Sequence, residues 1–142
     1  MKKLVSKTSV MSILIVLFLL TCTSCAKKIA FLVSPVVPAA RGDVKITRDK
    51  NKNYVIRVNL SDLAEIERLS PPKRAYVVWM VSAQDIAKNT GQISSKMGMN
   101  KQLKASFETA SATKPTKIFI TAEDDVSVSS PMGQTILSTD SF

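Results

Sequence analysis

From Gly42 onward the chain alternates apolar and polar residues with a period of two. Val44 and Ile46 alternate with Lys45 and Thr47, and beyond the polar stretch Arg48–Asn53 the rhythm returns as Tyr54, Ile56 and Val58 against Arg57 and Asn59. Successive side chains of a strand point to opposite faces, so the pattern predicts a hairpin of half-buried strands joined by a polar turn. The rhythm breaks at Ser61–Leu69, where Leu63, Ile66 and Leu69 recur at a spacing of three. With Ser61 as a cap, this reads as a two-turn helix or as a loop with buried leucines. Ser70-Pro71-Pro72 ends it, because proline cannot continue a helix and disfavours helical backbone just before it.

Ala75–Val81 is a continuous apolar run rich in β-branched and aromatic residues. A run this short between polar flanks predicts a central strand covered on both faces. Trp79, the only tryptophan, is expected to anchor the core, with ligand stacking as the weaker reading. Further strands are expected to start at Gly91–Ile93 and to cover Leu103–Glu108, Lys117–Ala122 and Gln134–Ser138, with a brief extension at Val126 and Val128. Seven or eight short strands without helix alternation predict an all-β chain, a single antiparallel β-sandwich of the immunoglobulin-like kind over residues 43–142. Strand spacing alone describes a small barrel equally well.

The first residues follow a different logic. Lys2, Lys3 and Lys7 precede the uncharged run Val10–Leu20, which Thr21–Cys25 closes. As a helix this run would measure about 16 Å, against about 30 Å of bilayer hydrocarbon, which is too short for a comfortable span. The layout is that of a secretory signal. With small residues leading to Cys25 and Lys27-Lys28 just after it, the segment resembles a bacterial lipoprotein signal peptide. That resemblance implies removal of residues 1–24 and a lipid (palmitate and its kin) on Cys25. Cys22 is the alternative lipidation site, and it also departs from the pattern, which usually has leucine there. An ordinary cleaved signal with incidental cysteines is the plainer alternative; against it, no cysteine follows Cys25, so the secreted part has no disulfide partner to offer. Residues 25–42, with Pro35 and Pro38, read as an extended tether whose apolar part, Ile29–Val33, lies near the bilayer or on a sheet edge.

The full chain carries a net charge of +9, and loss of residues 1–24 lowers this to about +6. In the cytosol such a balance would suggest nucleic acid. Beyond a membrane the available anions are lipid headgroups and envelope polysaccharide. No nucleic-acid partner is expected, and the scattered charges read as a solvated basic surface.

Tyr76-Val77-Val78-Trp79, Gly91-Gln92-Ile93, Phe119–Glu123 and Pro131-Met132-Gly133 occur in an order that resembles the extracytoplasmic C-terminal domain of anti-sigma-K-type factors. The resemblance implies a β-sandwich in the cell envelope over roughly residues 43–138. It does not imply sigma-factor capture, because the family's cytoplasmic domain and spanning helix have no counterpart here. Glu123-Asp124-Asp125 also replaces the glycine-rich turn that often follows.

Candidate chemistry is thin. The sequence has no histidine, which excludes imidazole bases, histidine metal sites and Ser-His-Asp triads. A lipidated Cys25 leaves no thiol nucleophile, and four glycines form no phosphate loop. Glu65 and Glu67 would diverge on a helix, and Glu123-Asp124-Asp125 lacks the ligand spacing of a calcium loop, so it reads as an exposed acidic turn. No enzymatic activity, cofactor or metal is expected. The expectation is a lipid-anchored envelope protein, on the periplasmic or surface side of a bacterial membrane, whose sandwich holds or senses an envelope protein partner. The alternatives are a small-ligand or glycan carrier that uses Tyr76, Trp79 or Phe119 in a pocket, and a structural spacer.

Overall fold

The computed structural model of the protein describes residues 26–93, 95–97 and 103–142. Nine strands run in chain order: β1 Lys27–Ala30, β2 Arg41–Arg48, β3 Tyr54–Ser61, β4 Ala75–Ser82, β5 Ala87–Ile93, β6 Ser95–Met97, β7 Leu103–Ser111, β8 Pro115–Glu123 and β9 Gln134–Ser138. They form two antiparallel sheets, a five-stranded one in the order β1-β2-β3-β7-β6 and a four-stranded one in the order β5-β4-β8-β9. Setting the edge strand β1 aside, this is the strand order of an immunoglobulin-like sandwich, in which consecutive hairpins are split between two sheets. Lys27–Ala30 lies antiparallel to Asp43–Ile46, so the start of the expected tether is a sheet edge.

The alternation read from the sequence decides which side chains enter the core. Val44 and Ile46 face Val58 and Ile56 across the β2–β3 pair, and Leu60 faces Ala105 across β3–β7. All lie in one core cluster with Tyr76, Val78 and Met80 of β4 and Ile118, Ile120 and Ala122 of β8. Ser61–Leu69 is the loop alternative: a single 3-10 turn at Ile66–Arg68, with Leu63 and Leu69 buried on either side. Val126 and Val128 belong to the β8–β9 connection and add no strand.

Both sides of the sandwich are laced. On one side the chain passes from β5 of the four-stranded sheet to β6 of the five-stranded sheet within two residues of Ile93. On the other, the Phe31 amide donates to Gly42 O and the Leu32 amide to Ser138 O, so the segment after β1 joins β2 to β9. Two glycines are required where the backbone crowds. Gly91 has φ +135 beside the bulge at Val78/Trp79, and a β-carbon there would meet the Phe107 ring at 3.0 Å. A β-carbon at Gly133 would lie 1.8 Å from Ala122 O.

Candidate functional site

The residues singled out from sequence divide sharply by position. Cys25 and Cys22 lie outside the described residues. Tyr76 is buried in the inter-sheet core, and its hydroxyl donates to Ala64 O at 3.0 Å. Burial, with a smaller contribution from the Glu67 charge, pushes the Tyr76 phenol up to about 12. Trp79 is 0% exposed but points to the opposite face of β4 from Tyr76, where it stacks on half-buried Phe119 with ring centroids 6.1 Å apart. The Trp79 indole donates to Thr121 Oγ1 at 2.8 Å, and Thr121 donates to Glu123 Oε1 at 2.6 Å. Neither Tyr76 nor Trp79 is offered to a ligand from solvent.

The expected acidic turn is corrected at its first residue. Glu123 is the last residue of β8 and only 2% exposed, accepting from Thr121 and from the Met132 amide. The three carboxylates go three ways. Asp124 pairs with Lys73 at 2.7 Å, and Asp125 accepts from the Ser127 amide and hydroxyl, bonds that hold its carboxyl below the usual range. Among the described residues no group of three acidic or thiol side chains could hold a metal ion.

A different constellation forms where the sandwich opens at one end. Lys27 at the start of β1, Ile46 to Arg48 at the end of β2, Tyr54 at the start of β3, Lys114 and Pro115 at the β7–β8 turn, and Phe142 line a cavity of about 350 Å³. Strand register explains how they meet. Lys27 pairs with Ile46 and Arg48 pairs with Tyr54, so these side chains continue the inward rows of Val44/Ile46 and Ile56/Val58 beyond the last core layer. The Phe142 amide donates to Thr116 O at 2.8 Å, which brings the end of the chain to the same opening.

Two aromatic rings carry two of the three cations of this mouth. The Arg48 guanidinium lies 4.6 Å from the centre of the Tyr54 ring and donates to its hydroxyl, and Lys27 Nζ lies 5.1 Å from the centre of the Phe142 ring. No carboxylate side chain is among the lining residues, and Lys27, Arg48 and Lys114 take part in none of the ion pairs of the described residues. The neighbouring Asp49 is engaged in its own turn. It accepts from the Asn51 and Asn53 amides at 2.8 Å each and from Asn53 Nδ2 at 3.1 Å, with the Asn53 side chain chief among the bonds that hold its carboxyl below the usual range. The arrangement contains no paired acid and base. It can hold an anion with an apolar or ring-bearing part.

Sequence reasoning missed this mouth. Arg48 and Tyr54 fall on the inward parity of β2 and β3, so each places a polar group where the alternation demands a core residue. Lys114 and Phe142 join only through the fold. Comparison with family models, with curated proteins and with solved structures finds no match for this chain.

Proposed function

We propose that this protein is a non-enzymatic, lipid-anchored envelope protein whose β-sandwich serves as an interaction or sensing module at the membrane surface. One observation carries the reading beyond the signal-like sequence. Cys25 stands two residues before Lys27, the first residue of β1, and β1 pairs with β2 along its whole length. Two residues reach at most about 7 Å. A lipid on Cys25 would therefore hold the folded sandwich directly against the bilayer, with the Lys27 end turned toward it. The resemblance to the anti-sigma-K-type domain contributes the envelope setting and nothing about sigma factors. A small-ligand or glycan carrier is the second reading, now centred on the mouth rather than on Tyr76, Trp79 or Phe119.

Cell fractionation of wild type beside Cys25→Ala and Cys22→Ala, with mass spectrometry of the mature N-terminus, tests the anchor. Wild type and Cys22→Ala are expected in the membrane fraction with diacylglyceryl-modified Cys25, and Cys25→Ala without it. A wild type in which neither Cys25 nor Cys22 is modified overturns the anchor, and modification of Cys22 in place of Cys25 moves it to the alternative cysteine. In-cell cross-linking of the same forms tests the interaction role. A reproducible partner that is lost from Cys25→Ala supports a module working at the membrane, and no partner from either form shifts the weight to a ligand carrier or spacer.

A further inference from the structure

We infer that the mouth formed by Lys27, Arg48, Tyr54, Lys114 and Phe142 binds the phosphate of an anionic lipid headgroup. The choice of a lipid as the source of that phosphate rests on the anchoring proposed above. The mouth itself rests on the fold.

The chemistry of the site selects an anion. Three cations come from three separate parts of the chain and meet at one opening without a carboxylate side chain in its lining. Guanidinium presents a planar fork that matches two phosphate oxygens, while lysine ammonium groups act as mobile point charges around it. Arg48 is held in place by Tyr54, which reduces the ordering that binding would require. The rings of Tyr54 and Phe142, with Ile46 beneath, offer apolar wall to the glycerol part of a headgroup. A cavity of about 350 Å³ falls at the small end of the range for ligand pockets, about 300–1,000 Å³, and suits a headgroup better than a folded partner.

The surroundings of the mouth fit a membrane. The β2–β3 turn beside it adds exposed Lys50 and Lys52. The β4–β5 turn lies at the same end of the sandwich, because Ser82 pairs with Pro115, and it carries Ile86, an apolar side chain at 67% exposure. Asp85 in that turn and Asp140 near the end of the chain lie outside the mouth's lining. Basic groups near an anionic leaflet each strengthen association, by about fivefold per residue at the surface. A lipid at Cys25 would supply closeness, and the mouth would then set which headgroups the domain sits on and how it is turned.

The test reads individual lysines on the full chain as cells process it, reconstituted into nanodiscs. Reductive methylation followed by mass spectrometry gives the reaction rates of Lys27, Lys114 and, as an internal reference, Lys45 on the outer face of β2. Discs of phosphatidylcholine alone are compared with discs that also contain phosphatidylglycerol. Lys27 and Lys114 are expected to react at least about fivefold more slowly when phosphatidylglycerol is present, with Lys45 unchanged. Arg48→Gln should return Lys114 toward its phosphatidylcholine rate, and Lys114→Gln should do the same for Lys27. Equal rates in the two discs overturn the site, as does uniform slowing of all three lysines, which would mean general attraction to a charged surface. Inorganic phosphate added to phosphatidylcholine discs forms the third arm. If it protects Lys27 and Lys114 as fully as phosphatidylglycerol does, the headgroup assignment falls in favour of a soluble phosphate ligand. The same spectra report the modification of Cys25, so failure of the anchor is seen separately from failure of the mouth.

Discussion

The outward faces of the two sheets are built on opposite plans. On the five-stranded sheet, Lys45, Arg57, Asn59, Ser106 and Glu108 point into water, and Arg57 spans to Glu108 across the β3–β7 pair. On the four-stranded sheet, Val77, Trp79, Val81, Thr121 and Glu123 occupy the corresponding rows and are all buried. The difference lies in the β8–β9 connection. Asn89 of edge strand β5 donates to both Val126 O and Val128 O at 2.9 Å, so the connection crosses outside β4 before returning to β9. A second, smaller core thus lies under this strap, separated from the inter-sheet core by the backbone of β4. It has a polar chain of its own, from the Trp79 indole through Thr121 to Glu123 and the Met132 amide. The bare face needs no such bonds because water satisfies its polar groups. The lesson is that a strand apolar on both faces announces a cover, and in this protein the cover is an irregular loop rather than a helix or a third sheet.

Trp79→Ala should break the comparison most severely. It removes the largest fully buried side chain and leaves Thr121 without the indole donor. Loss of a buried tryptophan costs about 3–5 kcal/mol, which should appear as a large fall in the urea midpoint. A loss under about 1 kcal/mol would mean that the strap yields easily and that the second core contributes little.

Tyr76 sharpens the contrast from the inner face of the same strand. Its folded phenol sits near 12 against an ordinary value of 10.0, so folding favours the neutral form. The stabilisation is complete below about pH 10 and is lost as pH rises toward 12. The difference between 10.0 and about 12 corresponds to about 2–3 kcal/mol. Urea melts through this window should show wild type losing that amount relative to Tyr76→Phe. Parallel pH profiles for the two proteins would show that Tyr76 titrates as it does in the unfolded chain.

Asn89→Ala tests the strap directly. Two hydrogen bonds to the connection are lost, together with the one Asn89 Oδ1 accepts from the Gly91 amide, and about 1–2 kcal/mol of stability should go with the three. The more telling readout is access. Trp79 fluorescence should resist acrylamide in the wild type and become measurably more quenchable in the variant. Strong quenching in the wild type would place Trp79 in solvent and dissolve the distinction between the two faces.

How far these features could be read in advance follows the same division. The alternation at Val44–Val58 made the five-stranded sheet legible, because one wet face leaves a clean period of two. The unbroken run Ala75–Val81 told of a strand covered twice, but the identity of the cover was hidden: Val126 and Val128 looked like strand, and Glu123 looked like exposed turn. The role of Val126 and Val128 depends on Asn89, 37 and 39 residues away from the carbonyls it holds, and that of Glu123 on Thr121 and the Met132 amide. Three of the edge strands were legible only in part: Gly91–Ile93 marked the end of β5, and a sheet edge was one of two readings of Ile29–Val33, while the edge strand β9 was legible over its whole length. β1 and β6 are short, and most of β5 is polar, so no periodicity marks them. At the mouth, the sequence offers Arg48 as the start of a polar turn and Tyr54 as an apolar position of the next strand, so their shared inward parity shows only once β2 and β3 are paired, and Lys27, Lys114 and Phe142 meet them only through β1, the β7–β8 turn and the segment after β9.

The smallest effect belongs to the bare face, and it bounds the comparison from the other side. Asn59 lies on β3 opposite Ser106, exposed on the outer face of its sheet as Trp79 is buried on the outer face of the other. Asn59→Ala should change stability by no more than about 0.5 kcal/mol, the usual range for a surface substitution away from special features. The Arg57–Glu108 pair in the next outward row is exposed at both ends, so added salt should weaken it without moving the unfolding midpoint appreciably. If Asn59→Ala instead cost as much as Trp79→Ala, the five-stranded sheet would have to be covered in solution by something bound to its outer face. Sedimentation of the wild type over a concentration series would then separate a second copy of the chain, whose mass doubles, from a bound small molecule, whose mass does not. A midpoint insensitive to Asn59→Ala, beside a large fall for Trp79→Ala, leaves the asymmetry intact: one sheet stabilised from both sides, the other from within alone.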